Sequence, residues 1–411
     1  MVAFVCSFAF QVSNMFAKIV PNPTGNNGYE EYVRAAEIAS DAEFPAYQRR
    51  LLETRSSDPE LEPQLPSDVD PRDLDLAIRR KWTSRYRICC NLISVGNRKP
   101  VYDPRESIAP ETTFPEMAKF KSLAALEAAT AHVAFADGNS GDAVGHIEEG
   151  LMFGEKLGGA ILISRLVGVA CSTTLLSELD DHWPQLSLND AHELRGFFGK
   201  RLATPPLMIE ALKGERRATK SAIEEMFSKP DQVAKEWSYD GGDSFGKDMK
   251  TLAALNPIEA ANLRADTEGV AYQQVDAVIG LFNGPETEWL KYKDPTDAEK
   301  NRSLASRLAD VALPSLSNLI VAEARSRTRL RLAYLTASAI EFRWINGRLP
   351  NAIEEFTTPD ERRDPTSGRS FSYRRDGPWF HITRENRDAL GGVGVKPAPN
   401  KPDPDSIPVR A

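Results

Sequence analysis

Five histidines supply the imidazoles of this chain: His132, His146, His182, His192 and His381. No two stand four apart with a glutamate between them, the helical spacing by which a zinc protease presents its ligands and base, so that chemistry is not expected. His132 and His146 fall on the two arms of a predicted helical hairpin, with Glu148 and Glu149 close by. A metal held across the hairpin is one reading of the pair; the ordinary one is a surface or half-buried pair without an ion. Asp180-Asp181-His182-Trp183 is the most reactive-looking tetrapeptide, because a carboxylate beside an imidazole is what a general base needs. It also ends a helix, where polar residues gather before a turn and Trp183 can anchor the loop. No nucleophile accompanies it in the sequence. A hydrolase using Asp180, Asp181 and His182 is therefore the alternative, and no catalytic residue, metal or cofactor is assigned.

The remaining candidates have plainer readings. Gly241-Gly242-Asp-Ser-Phe-Gly246 is glycine-rich, but it lacks the Gly-Lys-Ser/Thr ending of a phosphate loop and no strand leads into it. It reads as a simple loop. Arg325, Arg327, Arg329 and Arg331 alternate on a long helix and divide between two of its sides, which predicts a solvated surface rather than one basic stripe. Glu323, four residues before Arg327, is placed to pair with it. Cys89 and Cys90 are adjacent, and Cys6 and Cys171 lie far apart, so the four cysteines read as small buried hydrophobes rather than disulfides.

The elements that position these residues are helical. Thr113-Phe-Pro-Glu116 carries a capping-box pattern, with Pro115 in the first turn, and Leu123, Leu126, Thr130 and Val133 follow at helical spacing. Asp137-Gly138-Asn139 breaks that helix. A second runs from about Ser140 to Leu157, and a third carries Ile161 to Leu176 beyond Gly158-Gly159. Gly138, Ala143, Ile147, Gly150 and Leu151 stand at the spacing of a tetratricopeptide-like hairpin, with no clean second copy. Asn27, Asp70-Pro71, Ser187, Asn256-Pro257 and Asp294-Pro295 have the residue types that open helices, whereas 229–248 looks irregular. A long helix is expected from about Ser315 to Ile345.

A net charge of −8 with no domain-wide basic surface argues against nucleic acid as a partner. The first twenty residues carry no charge before Lys18, and twenty helical residues span about 30 Å, a bilayer core. Ser7, Gln11, Asn14 and Lys18 draw a polar stripe down one side. The segment therefore reads either as a membrane anchor or as an amphipathic helix.

Near the C-terminus, Asn346-Gly347-Arg-Leu-Pro350 ends the long helix, Glu354-Glu355 follows, and Asp364-Pro365-x-x-Gly368 turns into Phe371-x-Tyr373. Asp376-Gly377 then marks a hairpin that returns along Trp379 to Ile382. Over about residues 330 to 385 this resembles the C-terminal part of type II secretion pseudopilins. Together with Pro21-Asn22-Pro23 and Gly28-Tyr29 it is similar to a group of bacterial membrane-anchored helical proteins, a resemblance that brings no activity with it. Pseudopilins hold calcium in an Asp-rich loop after the hairpin. Here only Asn386 and Asp388 precede Gly391-Gly392, short of the six to eight oxygens calcium takes, and the pseudopilin processing signature is missing.

The expected fold is mainly α: an irregular array of α-hairpins, one of them tetratricopeptide-like, with a small C-terminal α+β module containing a β-hairpin. The segments are 1–20 (anchor or amphipathic helix), 21–112 (helices and linkers), 113–313 (central helical body), 314–385 (long helix plus hairpin module) and 386–411 (disordered tail). The expected function is a non-enzymatic, membrane-associated scaffold with a protein partner and the main body outside the cytoplasm. The alternatives are the hydrolase, a secretion-apparatus component, and a cytoplasmic location.

Overall fold

The computed structural model describes residues 19–20, 22–41, 43–48, 71–105, 112–158, 161–236, 242–294, 302–313, 315–376, 379–384 and 406–408. Most of them are helical, with a small antiparallel sheet near the C-terminus, as the periodicity predicted. Of the apolar first segment only Ile19 and Val20 are described, both buried in the first core, and the Asn386/Asp388 loop lies outside the described residues. So does the expected tail, apart from residues 406–408.

Helix α1 (Gly28–Ile38) opens under Asn27, whose side chain accepts the Tyr29 amide. Glu30 reaches back to accept from the Thr24 and Gly25 amides. Helix α2 (Pro71–Asn97) bends at Tyr86 and packs on α1. Helices α3 (Pro115–Ala136), α4 (Ser140–Leu157) and α5 (Leu162–Asp180) pack mutually. The Thr113 capping box does not form. Glu116 instead turns into the core, where it accepts from the Tyr29 hydroxyl and meets Arg105. Edge-to-face rings Tyr29, Tyr32, Phe120 and Phe153 tie α1, α3 and α4 together, with centroids 4.7–6.4 Å apart. Helices α4 and α5 touch backbone to backbone: a Cβ on Gly168 would lie 2.1 Å from the Gly154 carbonyl oxygen. Helix α6 (Leu188–Ala203) starts with a reciprocal capping box between Ser187 and Asp190.

A second apolar core is built by α7 (Met208–Ser228), α8 (Pro230–Glu236), α9 (Gly242–Ala253), α10 (Pro257–Asn283) and α11 (Leu304–Ala312). The stretch read as irregular, 229–248, thus holds most of two short helices. Pro230 stands first in α8, where its missing N–H costs nothing, and Gly242 opens α9. Asn256 opens α10 as predicted, and does so through a reciprocal capping box with Glu259. The helix expected after Asp294 would begin in 295–301, outside the described residues, but Asp294 serves another helix. Its carboxylate accepts from the Ser317 amide and hydroxyl at the start of α12 (Leu316–Asn346).

Helix α12 is 31 residues long, about 46 Å, and serves both cores. Leu316, Leu319, Ile320 and Ala324 face the second, while Ala333, Leu335, Ala339 and Ile340 face the first. Gly347 ends it with φ +65°, a left-handed conformation that a β-carbon resists. Leu349 and Ile353 return to the first core. Strands β1 (Ser372–Asp376) and β2 (Trp379–Thr383) pair antiparallel with Tyr373 opposite Ile382, and β3 (Ser406–Pro408) pairs along β2. Asp364 fixes the turn before β1 by accepting from Thr328, Thr366, Ser367 and Arg384, which joins the hairpin module to α12.

Candidate functional site

The last turn of α5 brings together the densest set of chemistry-bearing side chains among the described residues. Glu178 and His182 stand four apart, so both face α3, where His132 meets them. His132 Nδ1 lies 2.7 Å from Glu178 Oε1, and His182 Nε2 lies 3.1 Å from the same oxygen and 3.1 Å from His132 Nδ1. The other Glu178 oxygen accepts from Arg79 of α2 at 3.3 Å, and Arg79 is held in turn by Asp75 at 2.7 Å. Phe135 stacks on the His182 ring at 4.4 Å and 12°, and Gln185 Nε2 is 3.1 Å from His182 Nδ1. Burial alone would raise the Glu178 carboxyl. Its bonds to His132 and His182 and the charge of Arg79 outweigh that and hold it well below the usual range.

This is not the constellation the tetrapeptide offered. Asp180 turns to the Trp183 indole N–H and the Arg329 guanidinium, Asp181 ends the helix exposed, and His182 points inward to Glu178. Helical geometry accounts for the separation, since neighbouring residues are about 100° apart around the axis.

His132 and His146 also part company. His146 Nδ1 lies 2.7 Å from Glu127 Oε2, beside the buried Cys90. Glu127 and His132 are five residues apart on α3, which turns them about 140° from each other and sends the two histidines to different neighbours. Burial would lower His146, but the Glu127 carboxylate raises it on balance. Burial and the same carboxylate push the Cys90 thiol well above its ordinary value. Cys89, Cys90 and Cys171 are buried free thiols, as expected, and Cys6 lies outside the described residues.

Glu148 and Glu149 serve separate ends. Glu149 accepts from Ser94 at 3.0 Å and from Asn97 on α2. Glu148 is pushed up to about 7 by burial and by the nearby Glu193 charge, and its Oε1 has no hydrogen-bond partner among the described residues. A carboxyl titrating near neutrality is a general-base candidate, but the charged groups that act on it, Glu193, Arg201, Glu149 and Lys200, include no hydroxyl or thiol nucleophile.

Of the arginine run on α12, Arg325 is exposed as expected, and the other three are engaged by protein. Arg327 is buried and donates to Glu286 and to the Arg201, Leu202 and Thr204 carbonyls, which close the end of α6. Glu323 does not pair with it. Arg165 of α5 takes Glu323 by a fork of N–H bonds at 2.8–3.0 Å, both side chains being buried. Arg329 engages Asp180, and Arg331 donates to the Glu361 carbonyl. The expectation fails at Arg327, Arg329 and Arg331 because α12 is central and packs on protein at those positions. Residues 242–246 of the glycine-rich stretch form the start of α9 rather than a loop.

Sequence reasoning missed Glu178, Arg79, Asp75 and Gln185. The i,i+4 spacings Glu178/His182 and Asp75/Arg79 were legible signals; the meeting of three helices was not. Comparison with family models, curated proteins and solved structures finds no match for the chain.

Proposed function

We propose that this chain is a non-enzymatic, membrane-associated helical scaffold that binds a protein partner. The observation that carries the reading is where the interior charges go. Arg165–Glu323, Arg327–Glu286 and Arg79–Glu178 each join different elements. The only tetrapeptide with the look of a catalytic base is split three ways. Paired within the interior, these charges hold helices to one another. Exposed Trp344 and Ile345 at the end of α12 offer apolar surface for a partner, with the Trp344 indole N–H donating to the Leu186 carbonyl.

Membrane association rests on the apolar first twenty residues. Of the described helices, α5 alone is long and apolar enough to cross a bilayer, yet half of its apolar window is buried against neighbouring helices, as a core helix would be. The test is fractionation of the full chain against a chain lacking residues 1–20. The full chain pelleting with membranes and the shortened one staying soluble supports the reading; solubility of both removes the membrane part. Protease accessibility in intact cells then separates a body outside the cytoplasm from a cytoplasmic one. Turnover of any ester, phosphate or peptide substrate that is lost in D181N and H182Q would replace the scaffold by the hydrolase.

A second reading, a secretion-apparatus component, draws support from the Asp364-anchored hairpin behind the long helix. Its test is co-purification with an inner-membrane secretion platform, and unimpaired secretion in a deletion strain would dismiss it.

A further inference from the structure

We propose that His132, Glu178 and His182 form a transition-metal site of the zinc class that braces α3 against α5, a role beyond the scaffold reading. The three candidate donor atoms, His132 Nδ1, Glu178 Oε1 and His182 Nε2, form a triangle with sides of 2.7, 3.1 and 3.1 Å. An ion with tetrahedral bonds of about 2.0–2.1 Å sets its ligands about 3.3 Å apart, so the triangle is close to one face of that coordination shell. Two imidazole nitrogens and one carboxylate oxygen are borderline donors that select zinc-class ions over calcium or magnesium. Three protein ligands leave the fourth position to water.

The surroundings are those such a site needs. Arg79, itself held by Asp75, occupies the second Glu178 oxygen and leaves Oε1 aimed at the imidazoles. Phe135 fixes the plane of the His182 ring. Gln185 lies on the far side of that ring, at Nδ1. A half-turn of its amide lets the oxygen accept Nδ1–H, which leaves the Nε2 lone pair for the ion. Glu178 and Asp75 against Arg79 leave one net negative charge with both imidazoles neutral, which partly compensates a dication. His132, partly exposed while Glu178 and His182 are buried, gives the ion its way in.

A second trio, Cys90, Glu127 and His146, is the competitor. Its thiol would have to lose its proton beside a buried carboxylate, and the test includes it as a control.

The experiment uses the full chain, stripped with a chelator and dialysed. Zn2+ is titrated by calorimetry, Co2+ by visible absorption, and thermal unfolding is followed with and without each ion. The expected result is one equivalent of Zn2+ bound, a raised Tm and the ligand-field absorption of tetrahedral Co2+. His132→Gln and His182→Gln should each weaken binding by about 100-fold or more, while Cys90→Ser and His146→Gln leave it unchanged. His132→Gln is the deciding variant, because that side chain is partly exposed and circular dichroism can verify that the protein still folds. Absence of stoichiometric Zn2+ binding by the parent chain, wild-type affinity in His132→Gln, or loss confined to Cys90→Ser and His146→Gln would each overturn the proposal.

Discussion

Replacing Gly168 with alanine inserts one methyl group where α4 and α5 touch. The new Cβ would stand 2.1 Å from the Gly154 carbonyl oxygen and 3.1 Å from its carbon. Both obstacles are backbone, so no rotamer change relieves them and the helices must move apart. Overpacking costs about 1–3 kcal/mol where side chains can give way, and this contact belongs at or beyond the upper end. Against that, alanine is better than glycine inside a helix by about 0.5–1 kcal/mol. The net expectation is a loss of about 2–3 kcal/mol. Gly196→Ala on α6 is the matched control, because a Cβ there meets nothing within 4 Å and only the helix-propensity gain remains. Urea unfolding followed by circular dichroism should set the two variants about 3 kcal/mol apart in opposite directions from the parent. A Gly168→Ala protein as stable as Gly196→Ala would refute the close helix crossing, and with it the way α5 is placed.

Glu323→Gln strands the Arg165 guanidinium in the core and should cost about 3–5 kcal/mol, whereas Arg165→Met combined with Glu323→Leu should recover most of it; urea melts of the three proteins decide. Glu148 has a folded value of about 7, above its ordinary 4.5, so it carries no penalty below pH 4.5, loses stability as pH rises towards 7 and stays penalised above that. Glu148→Gln should therefore match the parent near pH 4 and exceed it at pH 8 by about 1–2 kcal/mol, about half of what a move from 4.5 to about 7 implies, because part of the side chain stays in contact with solvent. Asp364→Ala removes the acceptor shared by Thr328, Thr366, Ser367 and Arg384; hydrogen exchange should show the β1 and β2 amides losing protection while the α3 and α4 amides keep theirs.

Local chemistry was legible where the partners lie within one turn. Asn27, Ser187 and Asn256 cap the helices that their residue types predicted, and Gly347 stops α12 where the sequence said it would. The apolar periodicity from Leu123 to Leu176 gave α3, α4 and α5 nearly to the residue. What failed was every inference that needed to know a neighbour. Glu116 left its cap for Tyr29 and Arg105, and Glu323 left Arg327 for Arg165, because a buried forked bond outweighs an i,i+4 pair worth a few tenths of a kcal/mol. Pro230 and Gly242 read as breakers yet begin helices, since first-turn positions tolerate both residue types. The site at Glu178 was half visible as a Glu–His spacing. Its other members, His132 and Arg79, come from α3 and α2, and no pattern along the chain announces that these helices converge there.

His132, Glu178 and His182 are expected to close on one metal ion between α3 and α5. Anomalous diffraction from crystals of the full chain grown with Zn2+ tests this most directly. One peak is expected between α3 and α5, with two nitrogens and one oxygen at about 2.0–2.2 Å. A peak at Cys90, Glu127 and His146, or none at either place with His132, Glu178 and His182 still in mutual contact, would contradict it.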